Sequence, residues 1–232
     1  MAPASAGAPR RAGLVVWPAR TTIAAGAATS LHIANHTRGA VSLTIRTVGL
    51  ALDLRGAPRV VRSSAGTPLL VVGRRRVVIA AGGVGAFGMR ASAARGSASG
   101  DRPALVLLTA RSGGGAGIGV RVRIGVPVEV RVPGTLRRRL ELGALHVRGR
   151  RIEVLVRNVG NVDERVERSA VLIEVWRASR RLATLRPRAR DLLPQARGLL
   201  EFRLRKPLHG RGRIVVHLIR PTSARRSYSV AF

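Results

Sequence analysis

Cysteine is absent from this 232-residue sequence. That excludes thiol nucleophiles, disulfides and zinc sites of the Cys type. It leaves the compartment open, because oxidising compartments permit disulfides without requiring them. Aromatic residues make up only 3% of the chain, too few for a single-strand nucleic-acid surface built on base stacking. Acids are scarce: 42 Lys+Arg stand against 11 Asp+Glu, a formal net charge of +31. Lysine is nearly missing too, Lys206 being the only one. No run approaches the roughly 18–20 apolar residues of a membrane-spanning helix. Residues 1–12 are rich in Ala, Pro, Gly and Arg and lack the apolar core of a signal peptide. They read as a disordered arm. Their small residues also resemble the region around a signal cleavage site, so a chain trimmed on export is the second reading.

The charge that is present is spread evenly. Residues 1–132 carry 18 basic and 3 acidic side chains, 18 − 3 = +15, and residues 133–232 carry 24 and 8, 24 − 8 = +16. A dedicated nucleic-acid tail would be lopsided. An even charge of this size implies attraction to polyanions in general: nucleic acid, anionic wall polymer or an acidic membrane surface.

The most ordered pattern lies at 117–134, G-I-G-V-R-V-R-I-G-V-P-V-E-V-R-V-P-G. Ile118, Val120, Val122, Ile124, Val126, Val128, Val130 and Val132 occupy every second position, with Arg121, Arg123, Glu129 and Arg131 between them. A period of two with β-branched residues is the mark of a strand with one apolar and one polar face. At about 3.3 Å per residue it would exceed 50 Å, longer than a common strand, so a bend or break is expected at Gly125 or Pro127. Pro133-Gly134 stops it.

Shorter alternating stretches precede it, separated by turns such as Asn35-His36-Thr37-Arg38-Gly39 and Asp53-Leu54-Arg55-Gly56. Turn chemistry of this kind joins strands. The second half repeats the order. The strand ending at Asn158-Val159-Gly160-Asn161 answers the one ending at Asn35, and 166–176 answers 41–48. The offset of roughly 110–125 residues is that of a domain, not of a solenoid repeat. Residues 186–193 could form a helical turn. The pattern predicts an all-β chain of two sandwiches: an arm at 1–12, a first sandwich at 13–132, a linker at 133–136 and a second sandwich at 137–232.

The order of these features resembles the N-terminal domain of periplasmic pilus chaperones. The features are Arg20 before a strand, a strand ending at Asn35-His36-Thr37, the turn at Asp53, Thr67-Pro68, Val77-Val78-Ile79 with Gly82, Gly100-Asp101-Arg102 before an apolar strand, a glycine loop, and a long final strand ending Arg131-Val132-Pro133. It is also similar to bacterial surface proteins with a chaperone-like sandwich, including the WxL-interacting kind. The resemblance covers about 115 residues well and the second half by pattern. It implies immunoglobulin-like β-sandwiches in tandem and a periplasmic or cell-surface setting. It also implies capture of a surface or pilus subunit by donation of the final strand. Arg20 matches the family's anchor for the subunit's C-terminal carboxylate. The family's partner lysine has no counterpart: Val126 occupies that neighbourhood and Arg123 is the nearest basic residue.

Catalytic and cofactor motifs are wanting. The run G-G-G-A-G-I-G at 113–119 opens a strand rather than a helix, so it reads as a hairpin loop and not a phosphate cradle. The five histidines show no metal-ligand spacing. The acids are too scattered for a paired-carboxylate site, and no serine sits in a nucleophile elbow. A non-enzymatic protein without metal or cofactor is expected. The strongest local charge is Arg74-Arg75-Arg76 and Arg137-Arg138-Arg139, followed by Arg148, Arg150 and Arg151. These are either solvated faces or grips on phosphate and carboxylate, for which the planar guanidinium is suited.

The expected activity is therefore binding of another protein at the cell envelope, by strand addition along Ile118, Val120, Val122, Ile124 and Val126. Arg20, Arg123 and the two arginine triplets supply anion contacts. The alternative is an arginine-rich binder of nucleic acid or anionic wall polymer, and a plain structural spacer also fits.

Overall fold

The computed structural model describes residues 13–61, 70–111, 121–221 and 223–232. The arm at 1–12, the glycine run at 113–119, and Ile118 and Val120 lie outside the described residues. Among those described, every regular element is a strand. The chain is all-β.

It divides into two compact units. The first comprises Met1–Leu50, Val60–Ser97 and Arg102–Val132, and the second Ala51–Arg59, Ala98–Asp101 and Pro133–Phe232. Ten strands precede the break at Pro133: β1 Leu14–Trp17, β2 Thr21–Ala24, β3 Ala28–Asn35, β4 Val41–Leu52, β5 Pro58–Val61, β6 Leu70–Val72, β7 Arg76–Ile79, β8 Val84–Ala91, β9 Gly100–Arg111 and β10 Arg121–Val132. They form two sheets, β1-β3-β8-β6 and β2-β10-β9-β4-β5, with β7 also on β4. The chain crosses from one sheet to the other between Trp17 and Thr21, so Pro18 falls in the connection rather than in a ladder. That is where its missing N–H costs nothing.

Alternation explains the core. Leu31 and Ile33 of β3, Leu43 and Ile45 of β4, Phe87 and Met89 of β8, Val106 and Leu108 of β9, and Val126, Val128 and Val130 of β10 form one buried cluster. Two inward-facing stripes packed face to face give the sandwich its dry interior.

The remaining strands are β11 Leu140–Arg148, β12 Arg151–Asn158, β13 Glu164–Val166, β14 Val171–Arg177, β15 Arg180–Leu185, β16 Arg190–Leu192, β17 Arg197–Arg203, β18 Arg211–Leu218 and β19 Ala224–Ala231. They pair as β11-β12-β17, β13-β16 and β15-β14-β18-β19. A second cluster, including Ile152, Val154, Val156, Val171, Ile173, Val175, Leu200, Phe202, Ile214 and Val216, fills this unit.

Two local expectations change. β10 runs unbroken from Arg121 to Val132, through both Gly125 and Pro127. A Cβ at Gly125 would lie 3.1 Å from the Leu105 side chain, so this glycine serves close packing. Pro127 lies one residue before the first position paired with β2. The helical turn expected within 186–193 is instead β16, whose Arg190–Leu192 pairs with Glu164–Val166. Its partner is distant in sequence, so the local pattern does not announce it.

Candidate functional site

Strand β10 has two halves with different surroundings. Val128, Glu129, Val130 and Arg131 pair in parallel with Thr21, Thr22, Ile23 and Ala24 of β2. β2 is only four residues long, so its ladder ends there. From Arg121 to Pro127 β10 has β9 on one side, and no described strand pairs with the other. Among the described residues those backbone groups form an open sheet edge, which is a template for another strand.

The side chains grade along this edge. Val126 is 1% exposed and belongs to the core. Ile124 is half-buried and packs against the same cluster. Val122 is 44% exposed. The apolar face of the sandwich thus runs out into solvent along β10, and a partner could meet Val122 and Ile124 but not Val126. Arg121 and Arg123 are exposed on the opposite face.

Arg20 immediately precedes β2 and lies beside β10. Its guanidinium pairs with the Glu129 carboxylate, whose other oxygen accepts a hydrogen bond from Thr22 Oγ1 at 3.1 Å. Glu129 is 6% exposed. A buried carboxylate needs this pairing, because an unpaired one would be strongly destabilising. The carboxylate that Arg20 meets is thus one supplied by the chain itself. Glu129 and Thr22 were not singled out from the sequence. The available signal was an acid among the buried-side valines of a strand that has only one acid.

The remaining candidates are elsewhere. Arg74, Arg75 and Arg76 are exposed at the start of β7, which pairs with β4 and not with β10. Arg137, Arg138 and Arg139 belong to the second unit. There Arg138 lies 3.6 Å from Glu164 and Arg139 3.3 Å from Glu141. Burial pushes the Glu164 carboxyl above its ordinary range, with the Arg138 guanidinium opposing the shift and Asp101 adding to it.

The Asn35-His36-Thr37 turn is organised from within. Asn35 is fully buried, and its Nδ2 donates to the carbonyls of Gly39, Ile79 and Ala80 at 2.8–3.0 Å. At the other turn, Asp53 Oδ1 accepts from the amides of Arg55 and Ala57 at 2.8 Å. Trp17 is 40% exposed and stacks on His32 with centroids 5.6 Å apart. Trp176 lies between Arg181 and Arg213, each 5.9 Å from its ring. Among the described residues no group of three metal-ligating side chains converges.

No protein-family model matches the sequence, and no curated protein matches it. Solved structures do. The class 5 fimbriae chaperone CfaA aligns over 95% of this chain and 100% of its own, at 12% identity and a TM-score of 0.58. A chain from a chaperone–tip adhesin complex of CFA/I fimbriae biogenesis aligns over 95% and 98%, at 12% identity and 0.55. A chain from the CsuC–CsuE pre-assembly complex of Acinetobacter baumannii aligns over 93% and 98%, at 13% identity and 0.53. The chain has the tandem immunoglobulin-like fold of pilus chaperones.

Proposed function

We propose that this chain is a non-enzymatic binding protein of the cell envelope that captures another protein by strand addition at the open edge of β10. The observation that carries the reading is the mismatch between β2 and β10: among the described residues the shorter strand leaves Arg121–Pro127 with one backbone edge unpaired, Val122 exposed and Ile124 half-buried. An added strand would satisfy the free main-chain groups. It would also cover the two side chains, contributing about 1 kcal/mol each. Ile118 and Val120 would extend the same apolar row toward the strand's start.

The fold shared with fimbrial chaperones supports a protein partner, a surface or pilus subunit being the nearest in kind, and an envelope location. Arg20 is the candidate contact for a partner carboxylate, which would have to compete with Glu129. Arg123 and the triplets at 74–76 and 137–139 would add charge attraction rather than specificity.

A photo-crosslinking residue placed at position 122 tests this, with one at Val78 as control. Val78 is 65% exposed on β7, away from β10. In envelope extract at ~0.5 M salt, where screening reduces charge attraction to a few Å, position 122 should yield one predominant protein adduct and position 78 none. Equal labelling from both, or only nucleic acid or wall polymer captured at low salt, would favour a charge-driven binder instead.

A further inference from the structure

The second unit carries its own concentration of charge, away from β10. Arg148 and Arg151 face each other across β11 and β12, and Arg203 of β17 sits opposite Arg151. All three are exposed, while their neighbours Ile152 and Phe202 point into the core. Three guanidinium side chains thus form one row across three strands, spanning about 10 Å. The next row on the same face is His146, Glu153 and Glu201. Like charges directly opposite one another are destabilising. The sheet has sorted its charges into separate rows instead of pairing them across strands.

This row borders a cavity of about 890 Å³. Arg150 of the β11–β12 turn and Arg186 and Arg188 beyond the end of β15 line it as well. Glu153 and Glu201 are the lining carboxylates. Arg151 lies 3.9 Å from Glu153, which is 3.6 Å from Arg55 of the Ala51–Arg59 segment of this unit. Among the described residues, Arg148, Arg150, Arg188 and Arg203 have no carboxylate within salt-bridge distance.

We propose that this cavity binds a compact oligophosphate, a ligand carrying three or more phosphate charges. Guanidinium forks match phosphate oxygens in pairs. The volume falls within the range of small-molecule sites. So many cations around so small a space call for a ligand of high charge density, which a phosphate chain has and a single carboxylate lacks. The site lies within the second unit, and its existence does not depend on strand addition at β10.

Isothermal titration of the full chain with sodium tripolyphosphate at ~0.15 M salt tests it. One ligand should bind per chain. The triple variant Arg148→Gln/Arg151→Gln/Arg203→Gln should weaken binding by about 10-fold or more, while Arg74→Gln/Arg75→Gln/Arg76→Gln, with the same charge loss, should weaken it by less than about 3-fold. Arg203→Gln alone keeps the test open if the triple variant does not fold, with an expected loss of about 3-fold. No binding by the unaltered chain, several equivalent sites, or equal loss in both triple variants would overturn the proposal. So would displacement of tripolyphosphate by a thymidine oligonucleotide at equal potency per phosphate, which would indicate general polyanion attraction.

Discussion

The two units solve one structural problem alike and another differently. In each, a core strand ends in a fully buried asparagine, Asn35 in the first and Asn158 in the second. Asn158 Nδ2 donates to the carbonyls of Val162 and Leu192 at 2.8 and 2.9 Å, as Asn35 does to Gly39, Ile79 and Ala80. The main-chain N–H of each asparagine also donates at 2.9 Å to a turn carbonyl, that of Gly83 or Ala196. The turns differ in the residue that takes the positive φ. Gly82 takes its left-handed conformation (φ 71°) freely, whereas Gln195 (φ 59°) takes it with its side chain bonded to the carbonyls of Val159 and Gly160.

The last strands diverge. β19 pairs with β18 along its full length. Two of its side chains tie it to β11: Tyr228 Oη donates to Gly143 O and Arg226 Nη1 to Leu142 O, both at 2.6 Å. Those carbonyls lie where β11 slips register. β10 has an alternating valine row and a free edge over half its length. Charged and hydrogen-bonded edges resist strand addition, and apolar open ones invite it. The shared frame carries stability in both units; among the described residues the outer strand β19 presents exposed Arg225 and Arg226, whereas β10 presents Val122.

Removing either asparagine should show that the frame is shared. Asn35→Ala and Asn158→Ala each strand two or more buried carbonyls, and each should cost about 2–4 kcal/mol in urea unfolding. A large loss at one position and none at the other would break the correspondence. Glu129→Gln should cost less, about 1–3 kcal/mol, because it removes the negative charge paired with the Arg20 guanidinium while keeping the hydrogen bond from Thr22 possible. An unchanged unfolding midpoint would mean that the pair contributes little.

Tyr228→Phe tests the tie between β19 and β11. It should cost about 1 kcal/mol and quicken amide exchange in β19. The smallest effect concerns pH. Glu174 of β14 is held below its ordinary carboxylate range, first by the Arg181 hydrogen bond at 2.9 Å and also by His217 at 3.1 Å, against an opposing effect of burial. A depressed carboxyl contributes stability that is full above its ordinary pKa of 4.5 and is lost as pH falls through the lower folded value. Glu174→Gln should therefore melt lower than the unaltered chain at pH 7, and the gap should close in acid. A gap that persists at pH 2 would place the effect in packing.

The sequence shows the frame because its signals are local. Val126, Val128 and Val130 alternate in a strand, and they are buried together. The repeat of the Asn35 turn at Asn158 is visible as Asn-x-x-x-Gly against Asn-x-Gly-Asn. What decides the site is not local. The Arg20–Glu129 pair joins residues 109 positions apart, and among the described residues the edge opens where the four-residue β2 stops. The arginine row likewise needs the register of β12 on β17, which brings Arg151 beside Arg203. Alternation says which face a residue takes. It does not say which strand lies alongside.

Amide hydrogen exchange along β10 tests the central claim most directly, first in the free chain and then after capture of the protein crosslinked from position 122. Outward amides between Arg121 and Ile124 should exchange at least about 10-fold faster than those from Val128 to Arg131 in the free chain, and should become protected on capture. Uniform protection of β10 in the free chain, or no added protection on capture, would contradict strand addition at this edge.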